Sequence, residues 1–171
     1  MTHRVLVAGI GNIFLSDDGF GVEVANRVAT RSLPPGVQVA DFGIRGVHLA
    51  YELLEGYDGV ILADAVPMQE PPGTVAVIEP DQDDIGRMAA TPEDPEPAFD
   101  AHNMSPDLVL STLSRLGGSV GRVLVVGCQP ASLEEGMGLS PPVAAAVDDA
   151  VDLCLALVTE IMQPAGKGTP G

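Results

Sequence analysis

Tryptophan is absent from this sequence, and the other aromatics are few: four Phe and two Tyr. A core built here must therefore be aliphatic, from Val, Leu, Ile and Ala. Cysteine is nearly absent too. Cys128 and Cys154 form no C-x-x-C pair and no disulfide framework, which fits a reducing compartment. Basic residues are scarce, 8 Lys and Arg against 24 Asp and Glu, for a net charge of −16. Phosphate backbones and anionic bilayers both demand clustered cations, so nucleic-acid and membrane partners are not expected. No apolar run approaches the roughly 18 residues that a membrane span requires. The opening MTHRVLVAGIGN lacks the build of a signal peptide and reads as a strand. The expectation is a cytoplasmic monomer.

What is present suits one globular unit. The apolar fraction of 46% is ordinary, and 171 residues suffice for a sizeable core. Runs of β-branched and aliphatic residues at Arg4–Ala8 (RVLVA), Gly59–Ala63 (GVILA) and Arg122–Gly127 (RVLVVG) have the continuous apolar pattern of strands buried on both faces. Val37–Phe42 reads as another strand, and Gly73–Glu79 as one with the alternation of a sheet edge. Helical patterns lie between them. One opens at Ser16-Asp17-Asp18, with an N-cap candidate and acids in the first turn. Others span Gly46–Leu54, start at Ser105-Pro106-Asp107, and start at Ser140-Pro141-Pro142. Strands alternating with helices imply a three-layer α/β/α sandwich around a twisted, mostly parallel five-stranded sheet. We expect a single domain over 1–163. Within it, 80–101 is an acidic, Pro-rich loop expected to be mobile, with a short helix near Ile85–Met88 as a second reading. The Gly/Pro-rich stretch 164–171 is expected to be a flexible tail.

In open α/β sheets ligands bind beyond the carboxyl ends of the strands. Three polar residues fall at that edge. Asp18 follows the first strand and its turn, Asp64 directly follows the GVILA strand, and His102 lies three residues before a helix N-cap. Two carboxylates and an imidazole suit a borderline divalent ion, or acid–base chemistry. Each also has a plainer role available: helix N-terminal charge for Asp18, a loop cap for Asp64, a surface position for His102. Rival chemistries are weaker. A dinucleotide fingerprint starting at Gly9-Ile10-Gly11 requires glycine where Phe14 stands. A cysteine nucleophile at Cys128, with His102 as base, lacks any group that lowers its pKa. Neither a P-loop nor a G-x-S-x-G elbow is present.

Several ordered segments carry a family likeness: Gly9–Gly21 (GIGNIFLSDDGFG), Asp41–Gly46 (DFGIRG), Ile61–Ala65 (ILADA), His102–Pro106 (HNMSP), Val126–Pro130 (VGCQP) and Gly136–Pro141 (GMGLSP). Together they resemble the hydrogenase maturation proteases. The resemblance implies an endopeptidase that clips the C-terminal extension from the large-subunit precursor of a [NiFe] hydrogenase after nickel insertion. It implies that Asp18, Asp64 and His102 are the catalytic and metal-contacting residues. It also implies that the nickel arrives in the substrate; three ligands are too few for a closed site, so the free protein is expected to bind nickel weakly. A non-catalytic, metal-sensing chaperone for the loaded precursor is the alternative. Many relatives carry Glu where this chain has Asp18, one methylene shorter. Arg45 stands where other members have smaller polar residues; it either reads the precursor or pairs with a nearby acid.

Overall fold

The computed structural model describes residues 3–80 and 106–163. Five strands form one sheet: β1 (Val5–Ile10), β2 (Val37–Gly43), β3 (Gly59–Ala65), β4 (Val75–Ile78) and β5 (Arg122–Cys128). Their order across the sheet is β2-β1-β3-β5-β4. All pairings are parallel except that of β4, which runs antiparallel to β5 at the edge. Between them lie α1 (Phe20–Val28), α2 (Gly46–Leu53) and α3 (Pro106–Arg115), and α4 (Pro141–Met162) follows β5.

The pleat divides the central strands between two cores. Val5, Val7, Ile61, Ala63, Leu124 and Val126 face α1 and α4, where they meet Phe20, Val24, Val147 and Val151. Leu6, Ala8, Ile10, Leu62 and Val125 face α2 and α3, where they meet Leu49, Leu53, Val109 and Leu113. The arrangement is the expected α/β/α sandwich, and β4 is the expected edge. Among the described residues no helix is long and apolar enough to cross a membrane. The 80–101 loop beyond Pro80, the short helix near Ile85 and the 164–171 tail lie outside the described residues.

Two local expectations need correction. The first helix does not open at Ser16. Ser16–Gly19 is a single 3-10 turn, with α1 proper beginning at Phe20. Ser16 sits in the left-handed region at φ +54°. Its hydroxyl caps nothing and donates instead to the Glu134 carbonyl, 2.7 Å away. The helix expected over Gly46–Leu54 ends at Leu53, and Leu54 beyond it is 40% exposed.

Two glycines set the position of that turn. A Cβ on Gly21 would lie 2.1 Å from the Ala63 carbonyl oxygen and 2.4 Å from that of Ile10, so only glycine lets α1 approach the ends of β1 and β3 this closely. Gly11, at φ +133°, leaves room for the Asp18 carbonyl, which a Cβ would meet at 2.0 Å. The chain from β1 is thereby folded back over the end of β3, and Asp18 comes with it.

Candidate active site

The strand order reverses direction between β1 and β3: the chain steps from β1 outward to β2, then returns to β3 on the other side. Such a reversal leaves a crevice at the carboxyl ends of the two strands, because β1 leads through α1 to β2 on one side while β3 leads to β4 beyond β5 on the other. Asp18 follows β1, and Asp64 is the penultimate residue of β3. Both border that crevice.

Asp64 is held by the sheet. It is in register with Gly127 of β5 and only 4% exposed. Burial pushes its carboxyl pKa well above the ordinary value, and the nearby Asp18 charge pushes it further; a backbone hydrogen bond from Ala65 offsets part of this. Two carboxylates close enough for the charge of Asp18 to raise the pKa of Asp64 attract either a proton or a cation between them. Asp18 is half-buried on its 3-10 turn and accepts a hydrogen bond of 2.7 Å from the Asn12 backbone N–H. His102 lies outside the described residues. Among the described residues, no three His, Cys, Asp or Glu side chains gather as a metal-binding set. The structure thus brings Asp18 and Asp64 together as a pair.

Asp17, read from sequence only as one of two acids starting a helix, organises the surroundings. It is fully buried. Its Oδ2 accepts hydrogen bonds from the backbone N–H of Ala131 at 2.8 Å and Ser132 at 3.1 Å, and from the Ser140 hydroxyl at 2.8 Å. Its Oδ1 accepts one of 2.6 Å from the Ser140 N–H. Burial works to raise its pKa, but the bonds from Ser140, Ala131 and Ser132 outweigh it, and the net shift is downward. The connection from β5 to α4 is thereby fastened to the turn that carries Asp18. Ser140 is the N-cap residue of α4, but its hydroxyl goes to Asp17 and not to its own helix.

Cys128 ends β5 fully buried. Burial, reinforced by the Asp17 charge, pushes its thiol up to about 11, so little thiolate exists at neutral pH. Cys154 is a core residue of α4, pushed up to about 12 by burial alone. Cys128→Ala is accordingly expected to keep its proteolytic activity within about threefold of the parent. Loss beyond a hundredfold in a folded variant would instead make the thiol the nucleophile. Arg45 is turned back on its own loop. It donates to the carbonyls of Phe42 at 3.1 Å and Asp41 at 2.8 Å, and lies 3.9 Å from the Asp41 carboxylate. Phe14, where a dinucleotide site needs glycine, is a large exposed side chain.

A three-layer α/β fold with paired acids at its switch point is one kind of hydrolase scaffold. The sequence model of the hydrogenase maturation protease family matches residues 22–157. The hydrogenase expression/formation protein HupD of Rhodobacter capsulatus is 35% identical over 151 residues, covering 87% of this chain and 68% of that protein. The hydrogenase 2 maturation protease of Escherichia coli is 32% identical over 164 residues, covering 92% of each. The structure of the hydrogenase maturating endopeptidase HybD from E. coli superposes with a TM-score of 0.72 at 29% identity, covering 92% of this chain and 93% of that one. This chain belongs to the hydrogenase maturation protease family. It is an endopeptidase, and so a hydrolase.

Proposed function

We propose that this protein removes the C-terminal extension of a [NiFe] hydrogenase large-subunit precursor after nickel insertion, and that the nickel held by the substrate is what it recognises. The observation that carries this reading is the convergence of Asp18 and Asp64 at the switch-point crevice, with the Asp18 charge acting on the Asp64 carboxyl. Carboxylate oxygens are suitable donors for a borderline divalent ion. A pair is too few for a closed site, which suits an ion that brings its other ligands from the substrate. His102 is the third contact in this proposal, carried by the family resemblance.

The chemistry asked of the pair is modest. One carboxylate takes a proton from water, the water oxygen adds to the scissile carbonyl carbon, the C–N bond breaks, and the proton passes to the departing amine. An ion beside the carbonyl oxygen supports the negative charge that develops there. The test is intact-mass measurement of nickel-loaded and nickel-free precursor after incubation with the protein. Loss of a C-terminal peptide from the loaded form alone is the expected result. An unchanged mass together with a stable complex would replace this reading with the chaperone role.

A further inference from the structure

Phe14 and Met137 are 61% and 68% exposed, although both are large apolar side chains on loops that border the acid pair. Single exposed hydrophobics are common on any surface. These two are not single. Ile13 and Leu133, each 41% exposed, lie on the same two loops.

The loops are rigidly joined. Leu15 and Gly136 form a parallel bridge, in which the Gly136 N–H donates to the Phe14 carbonyl at 2.9 Å and the Ser16 N–H to the Gly136 carbonyl at 2.8 Å. The Ser16 hydroxyl and the Asp17 carboxylate fasten the same loops further along. The patch is also tied to the acids. Asn12 accepts from the Phe14 N–H through its side chain at 2.9 Å and donates its own N–H to Asp18 at 2.7 Å. An apolar surface held in place before binding loses little entropy when covered, which is the character of an interface hot spot.

The two loops themselves carry charge of one sign. Between Leu133 and Met137 stand Glu134 and Glu135, both exposed, and residues 12–18 and 129–140 contain no Lys or Arg. The complementary partner surface is therefore apolar at its centre and basic at its border.

We propose that Phe14 and Met137 form a docking ledge that seats an apolar side chain of the protein substrate beside the acid pair, with Glu134 and Glu135 facing Lys or Arg on that substrate. This rests on the function proposed above and specifies how the precursor is gripped. Because the side chains project into solvent, they can be removed without opening the core. The test compares the parent protein, the Phe14→Ser/Met137→Ser double variant and the Glu134→Lys/Glu135→Lys double variant. For each, Kd for nickel-loaded precursor and the kcat and KM of processing are measured.

For the serine variant, Kd and KM are expected to rise about tenfold or more while kcat falls less than about threefold, with an unchanged melting temperature. The lysine variant is expected to weaken binding and to reverse its dependence on salt. Unchanged Kd and KM in the serine variant overturn the proposal. So does a parent protein that is dimeric through this patch, becoming monomeric in the serine variant with no change in KM. A parent that binds the precursor without cutting it would remove the proposed function, and the Kd comparison would still decide the ledge. A parent that neither binds nor cuts removes both.

Discussion

Replacing Asp64 by Asn is expected to lower proteolytic processing by roughly 10²–10⁴-fold, the usual worth of a positioned acid–base group, while the protein stays folded. Asn has the same shape, and Asp64 lies at the carboxyl end of a strand whose neighbours on both sides remain intact. The substitution should also stabilise the free protein. Burial and the Asp18 charge raise the folded-state pKa of Asp64 above the unfolded value of 3.8, so the folded state binds the proton more tightly. Wild-type stability then falls as pH rises from about 4 through the raised value, and stays penalised above it. The Asn variant escapes that penalty. Its melting temperature should exceed the parent's at pH 7, and the two should converge below pH 4, where Asp64 is protonated in both states. A folded Asn variant that processes precursor at the parental rate would remove Asp64 from the chemistry.

Asp17→Ala is expected to have the largest effect on stability. It strips the acceptor from four hydrogen bonds, three of them from backbone N–H groups. Hydrogen bonds to a charged acceptor contribute about 1.5–3 kcal/mol each, less what water recovers, so the loss should be about 3 kcal/mol or more. For a chain of this length that corresponds to a fall in melting temperature of roughly 6–12 °C. The pH dependence has the opposite sign from that of Asp64. The folded-state pKa of Asp17 lies below its unfolded value of 3.8, so its contribution is complete above about pH 4 and is lost as pH falls through the depressed folded value. The deficit of the Ala variant should be full at pH 7 and shrink in acid. Thermal melts between pH 2.5 and 7 would show it, and a gap that does not narrow with acid would mean that Asp17 acts by packing alone.

The central strands were legible because they are buried on both faces. Nothing but a continuous aliphatic run serves in the middle of a parallel sheet, and RVLVA, GVILA and RVLVVG are such runs. The edge position of β4 was legible in a sequence pattern unlike the continuous buried runs, and its burial is partial: Val75 and Ala76 are half-buried, Val77 and Ile78 exposed. Its antiparallel direction was not, because that depends on the register with β5 and leaves no mark in four residues. Asp64 was legible as a site candidate from its place after a buried strand. The division of labour between Asp17 and Asp18 was not. Adjacent acids before an apolar stripe look alike at a helix start. Which one turns inward is decided by the 3-10 turn and the left-handed Ser16, both imposed by contacts more than a hundred residues away. The available signal was Ser140, a polar residue ahead of two prolines whose hydroxyl had a distant carboxylate to find rather than its own helix.

Asp64 and Asp18 also differ in what carries them. Asp64 is mounted on a strand clamped between β1 and β5, whereas Asp18 rides on one short turn stitched down by side-chain and backbone bonds. On the function proposed above, the sheet fixes where a bound ion must sit, and a misfit would strain the bond between Asn12 and Asp18 before it disturbed Asp64.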